Sequence, residues 1–238
     1  MTSLTTSASL AELIRATPGS ERTLESFGLD YCCGGSRTLA DACEDLDLDP
    51  STVLEAIQAV EARPAPDWAS MAPDALVDHL ESTHHAYLHA ELPRLSALAD
   101  KVTGVHGARH PELTQIRQIF ETIRGDLEPH LAKEEHILFP LIREIAQAGP
   151  APQFHGGSVQ NPISVMLREH DILGELLATM RHLTGGYQTP DDGCASYHAL
   201  FDGLASLEAD THLHVHKENN ILFPAVDALE AERSGHPR

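Results

Sequence analysis

From Pro73 onward, apolar residues recur at alternating steps of three and four, the period of an amphipathic helix, and no stretch shows strand-like alternation. The pattern predicts four long helices, over roughly 74–102, 111–147, 162–184 and 193–231, with Asn161-Pro162 as the cap and first turn of the third. Short connections between helices of matching length argue for an antiparallel four-helix bundle, divided into two pairs by GPAPQFHGGSVQNP. Residues 1–63 read as a small helical unit. Ser20 is placed to cap a helix through Leu24 that Gly28 stops, and Asp49-Pro50 opens another over Val53, Leu54, Ile57 and Val60. Between the unit and the bundle, RPAPDWASMAP carries Pro64, Pro66 and Pro73, which marks residues 64–73 as a linker and divides the chain into 1–63 and 74–238. The fold class is all-α.

The two helix pairs repeat each other. HLAKEEHILFP (130–140) and HVHKENNILFP (214–224) place His, Glu and Ile at identical offsets: His130, Glu134, Ile137 against His214, Glu218, Ile221. The first and third helices repeat more faintly, with His85, Leu88, Leu92, Leu95 answering His170, Leu173, Leu177, Met180. On the second helix the stripe Ile116, Phe120, Ile123, Leu127, His130, Glu134, Ile137, Leu141 lines one face. The fourth does the same with Leu200, Leu204, Leu207, Thr211, His214, Glu218, Ile221, Ala225. His and Glu therefore take interior positions between aliphatic residues.

An ionised carboxylate buried without a partner costs several kcal/mol. A single His-x-x-x-Glu pair is most simply a histidine hydrogen-bonded to a core glutamate. Two pairs at matched offsets, with two further histidines on the facing helices, call for a cation between them. Four imidazoles and two carboxylates suit iron, manganese or zinc better than calcium or magnesium, and structural zinc prefers four ligands, often cysteine. Two carboxylates able to bridge, with two terminal histidines per metal, describe a dinuclear centre with open positions for an oxo or hydroxo bridge and for O2 or NO. Within the first helix the choice stays open by spacing: a helical wheel centres His84 among Val77, Leu80, Leu88 and Leu95, whereas the repeat selects His85. His79, His89, His136, His212 and His216 fall off the stripes and read as solvated or as supports behind the site; spacing leaves His106 unassigned.

Composition sharpens this picture. The 238 residues carry 16 histidines, as many as lysine and arginine together, while 36 acidic residues bring the net charge to −20. That field repels phosphate backbones and anionic lipid, so neither nucleic acid nor a membrane surface is an expected partner. The first 20 residues lack a basic start and an apolar run, and Cys32, Cys33, Cys43 and Cys194 are too few for a disulfide scaffold; a cytoplasmic location is expected. Cys32-Cys33 beside Gly34-Gly35 places two thiols on a mobile turn, a candidate site for soft metal, NO or thiol exchange.

These motifs resemble a known family. LDYCCGGSRTLADAC is similar to the short N-terminal domain of the iron-sulfur cluster repair di-iron proteins, and HLAKEEHILFP, NPISVMLREHD and HVHKENNILFP to their hemerythrin-like domain, in the same order over nearly the whole chain. The resemblance implies two iron ions, with His85, His130, Glu134, His170, His214 and Glu218 as ligands and both glutamates bridging. It also implies a functional role for Cys32 and Cys33, and a family histidine at His106. The implied activity is restoration of iron-sulfur proteins damaged by nitric oxide or peroxide, by supplying iron. Reduction of NO at the centre and O2 or NO sensing are the alternative activities. The chain would work as a monomer or homodimer.

Overall fold

The computed structural model describes residues 4–60, 67–147 and 158–234; Pro64, Pro66 and most of the connection between the helix pairs lie outside them. The described residues form eight helices and no strand.

The N-terminal helices start on local caps. α1 (Leu10–Ala16) opens on Ser9, whose hydroxyl accepts from the Glu12 N–H while the Glu12 carboxylate accepts from the Ser9 N–H. α2 (Glu21–Ser26) is ended by Gly28 at φ +73°. Thr38 caps α3 (Leu39–Glu44), and Asp49 caps α4 (Pro50–Gln58), with proline at the first helical position. The cap expected at Ser20 is not made. Ser20 precedes the helix with αR backbone angles and is buried, and its amide closes a turn onto the Thr17 carbonyl at 3.1 Å. Leu10, Leu13, Leu24, Tyr31, Leu39 and Ile57 bury a small core that also takes in Val215 from the last bundle helix.

The bundle helices are composite. α5 runs Pro73–Leu80, passes through a π turn at Glu81–His85 and continues as Ala86–His106. α6 runs Glu112–Lys133, a π turn at Glu134–Leu138, then Phe139–Ala146. α7 is Gln160–Leu183, and α8 runs Ala195–Lys217, a π turn at Glu218–Leu222, then Phe223–Ser234. α5 packs on α6 and α8, and α7 joins α6 to α8, which closes the bundle. Some boundaries differ from expectation: α5 extends to His106, α7 begins one residue before Asn161, after Val159, and α8 runs from Ala195 to Ser234.

Each π turn inserts one residue into the helical register, which resets the stripes beyond it. Ile137, expected inside, is 59% exposed, and Leu138 takes its place at 1%. On α8 Leu222 is fully buried while Ile221 is only half-buried. On α5 the extra residue carries the inward position from Leu80 to His85, and His85 rather than His84 lies among the other donors, although both are buried. The core is consequently split. One apolar cluster holds Leu88, Phe120, Leu177 and Leu204, a second holds Leu80, Phe139, Met166 and Phe223, and every bundle helix crosses between them through its polar buried residues. None of the described helices is long and apolar enough to cross a membrane.

Candidate metal centre

In the layer between the two clusters the structure brings together all six residues chosen from the sequence. They form two sets of donors, His85, Glu134, His214, Glu218 and His130, Glu134, His170, Glu218; within each set one donor atom per residue lies within 4.8 Å of the others, and every member is buried. Both glutamates belong to both sets. Glu134 turns Oε2 toward His85 Nε2 at 3.5 Å and Oε1 toward His130 Nε2 at 3.4 Å. Glu218 turns Oε1 toward His214 Nε2 at 3.0 Å and Oε2 toward His170 Nε2 at 3.3 Å. Each carboxylate thus spans the two sets, as a bridging ligand must.

The outer ring nitrogens fix the tautomers. His85 Nδ1 lies 2.9 Å from Glu135 Oε1, His130 Nδ1 lies 2.8 Å from Glu169 Oε2, and His170 Nδ1 lies 2.8 Å from Asn219 Oδ1. All three partners only accept, so Nδ1 carries the proton and Nε2 presents a lone pair inward. Yet His130 and His170 bring their Nε2 atoms within 3.1 Å of each other, and His85 and His214 within 3.2 Å. Between His130 and His170 two facing lone pairs at that distance repel, whereas His214, whose Nδ1 is buried without a partner, is free to carry its proton on Nε2. Both Glu134 oxygens and Glu218 Oε2 are buried without a hydrogen-bond partner. Burial also pushes His130 and His214 down to about 4, keeping them in the neutral form that binds metal, while burial and the charge of Glu218 push the Glu134 carboxyl well above its ordinary range. A cation in each donor set removes every one of these conflicts. The residues fit a pair of metal ions.

Other histidines fall into place around this core. His84 is buried, stacks on His214 with ring centres 5.3 Å apart, and lies 2.9 Å from Asp210 and 2.7 Å from Lys217 Nζ. Lys217 is itself buried, over the Trp68 ring and 3.0 Å from His79 Nε2. His89 pairs with Glu135, His136 is exposed, and His212 leans on Glu25. His216, read from the sequence as off the stripe, is 2% exposed because the N-terminal unit covers it, with its Nδ1 3.3 Å from the Tyr31 carbonyl. His106 sits 21 residues beyond His85 on the same helix, about 30 Å away at 1.5 Å per residue, so it is no part of the centre. The supports Glu135, Glu169, Asn219, Asp210 and Lys217 were missed in the sequence. The available signal was that Glu135 and Asn219 each directly follow a candidate bridging glutamate.

The Cys32-Cys33 loop, expected to be a mobile turn, is packed. The Asp30 carboxylate accepts from the amides of Cys32, Cys33 and Gly34, and the side-chain amides of Asn219 and Asn220 donate to the Cys32 carbonyl at 3.3 and 3.1 Å. Gly35 lies so close to Asn220 that a Cβ there would strike its amide. Cys32 is buried, and the neighbouring Cys33, burial and Asp30 push its thiol well up. A groove of about 570 Å³ beside the thiols is lined by Asp30, Asp171, Glu175 and Glu208. A second groove, of about 270 Å³, reaches His130 past Pro129, Lys133 and Ile172.

A four-helix bundle with two facing His–Glu donor sets defines a metal-binding bundle of the hemerythrin class. Residues 76–226 match the family model described as the hemerythrin HHE cation binding domain, and residues 6–61 match a second, described as a domain of unknown function (DUF542). Along 222 residues, 93% of this chain and 97% of the relative, the chain is 33% identical to proteins named iron-sulfur cluster repair protein YtfE in Enterobacter sp. (strain 638) and Escherichia coli O157:H7. The chain belongs to this family of hemerythrin-domain iron-sulfur cluster repair proteins.

Proposed function

We propose that the chain holds two iron ions in the centre formed by His85, His130, Glu134, His170, His214 and Glu218, and that it restores iron-sulfur proteins damaged by nitric oxide or peroxide in the cytoplasm by giving up that iron. The observation that carries the reading is the pair of donor sets sharing both glutamates, in a chain related to proteins named for cluster repair. In this reading residues 1–63 serve delivery and residues 74–238 serve storage. Bound iron would supply a change of oxidation state, and carboxylate oxygens hold the ferrous ion less tightly than the ferric.

The chain's own residues would do the rest. Glu135, Glu169 and Asn219 keep three imidazoles in the inward-donating tautomer. The acidic groove beside Cys32 and Cys33 attracts a cation leaving the bundle, and the thiols offer it a soft resting point. The groove at His130 is the observation that favours the second reading, in which NO or O2 reacts or is sensed at the centre.

The test follows iron from protein purified without oxygen into a damaged iron-sulfur enzyme. Wild type is compared with Cys32→Ser/Cys33→Ser, each oxidised and reduced. Donation predicts faster transfer after reduction, with the variant keeping its iron but delivering it more slowly. Equal rates in both oxidation states, with NO consumed in a single turnover, would replace donation by NO chemistry.

A further inference from the structure

At the end of the bundle away from the metal centre, Cys194 immediately precedes α8. It is 20 residues before His214, which on one helix is about 30 Å. Its side chain is exposed, and its Sγ lies 3.2 Å from Nε2 of His106 at the end of α5. His106 is 3% exposed, and its other nitrogen, Nδ1, is buried without a partner. A buried N–H lacking an acceptor is among the least tolerated groups, whereas a bare ring nitrogen costs less. The favoured tautomer therefore carries its proton on Nε2 and donates it to the sulfur. Cys194 also occupies the N-cap position of α8, at the positive end of a 23-residue helix. The remaining charges nearby are tied up among themselves: His110 bonds Asp192 at 2.9 Å and Glu112 at 3.2 Å, and Arg109 lies 3.5 Å from Asp192.

We propose that Cys194, poised as a thiolate by His106 and by the start of α8, is a site of oxidation by hydroperoxides, separate from the metal centre. The sulfur attacks one peroxide oxygen, an S–O bond forms as the O–O bond breaks, and the sulfur gives up two electrons. The departing hydroxide, or alkoxide where the hydroperoxide is organic, takes a proton from solvent and leaves as water or alcohol, and the cysteine becomes a sulfenic acid. A low-molecular-weight thiol then displaces that hydroxyl as water, leaving a mixed disulfide. The other thiols are less suited: Cys32 and Cys43 are buried, and both are pushed up by their surroundings. Consistent with the geometry, the His106 hydrogen bond followed by the helix amides brings the Cys194 thiol down to about 7.

The full iron-loaded chain is treated with stoichiometric hydrogen peroxide, trapped with a cyclic 1,3-diketone and read by peptide mass spectrometry. Label on Cys194 should exceed that on Cys33 about tenfold and vanish in Cys194→Ser, whose metal-centre absorption should match wild type. In parallel, the iodoacetamide rate at Cys194 should rise through a midpoint near pH 7 and fall about fivefold at pH 7 in His106→Gln, the loss of thiolate that a midpoint raised by about one unit brings. A wild-type midpoint at the ordinary thiol value near 8.5, or label spread evenly over Cys33 and Cys194, overturns the proposal. The wild-type profile decides the matter even where His106→Gln does not fold.

Discussion

Glu134→Gln should change stability in opposite directions with and without metal. In the metal-free protein the Glu134 carboxyl group is fully buried, neither oxygen has a hydrogen-bond partner, and the two imidazoles beside it, His130 Nε2 at 3.4 Å and His85 Nε2 at 3.5 Å, present lone pairs. Each unmet buried polar group costs about 1–3 kcal/mol, more when charged. Glutamine keeps the shape, removes the titratable group whose upward shift on burial costs stability at neutral pH, and supplies an N–H that can donate to either imidazole. The metal-free variant should therefore be more stable than metal-free wild type by about 2 kcal/mol, a rise of roughly 4–8 °C in Tm for a chain of this size. In the iron-loaded protein the order reverses, because an amide cannot bridge two cations. Iron should drop well below two per chain, and with it the stabilisation that binding confers on the folded state. The assay is calorimetry or circular dichroism of chelator-treated and iron-reconstituted samples, with iron counted by mass spectrometry. A metal-free variant that melts below metal-free wild type, or one that still holds two irons, would refute the reasoning.

The π-turn register predicts that Leu138→Ala costs about 2–5 kcal/mol while Ile137→Ser stays within about 0.5 kcal/mol, measured by urea denaturation; similar losses at both sites would remove the π turn. Phe120→Ala, in the fully buried cluster away from the centre, should cost about 3–5 kcal/mol yet leave iron per folded chain unchanged. Asn219→Ala removes both the His170 and the Cys32 contacts. It should lower stability by about 1–3 kcal/mol and alter the metal-centre absorption. An unchanged spectrum would show that His170 needs no support from Asn219.

Much of the bundle was legible because its information is periodic. The stripes of α6 and α8 up to Glu134 and Glu218, and the six donor positions, follow from three-four spacing together with the internal repeat. What periodicity could not carry was any break in the period itself. Ile137 was misplaced for that reason, and the inward position of His85 follows from the repeat rather than from the helical wheel. The supports were hidden for another reason. Glu169 and Asp210 act on residues of other helices, and nothing local distinguishes them from solvated acids until α7 meets α6 and α8 meets α5. His216 and Lys217 were hidden because what buries them, the N-terminal unit and Trp68, arrives from elsewhere in the chain.

The repeat also shows where the two halves have diverged, and the divergence follows the N-terminal unit. The residue after each candidate bridging glutamate holds the histidine of the preceding helix: Glu135 holds His85, and Asn219 holds His170. A carboxylate at position 219 would serve His170 equally well, but it has no proton to give. The Asn219 amide accepts from His170 through Oδ1 and donates to the Cys32 carbonyl through Nδ2, so it alone can join the thiol loop to a candidate ligand. The residue before each α5 and α7 histidine has diverged as well. Glu169 pairs with both His130 and Lys133, while its counterpart His84 binds Lys217 and stacks on His214, whose Nδ1 is left without a partner. His214 is the one imidazole of the four with no acceptor raising its basicity, so the pair it forms with His85 should bind its metal less tightly than His130 and His170 bind theirs. Iron released from the two sites should accordingly appear in two phases when a chelator competes for it, and His84→Glu, which restores an acceptor beside His214, should slow the faster phase. A single phase in wild type would mean that the shared glutamates couple the two ions too strongly for the outer contacts to matter.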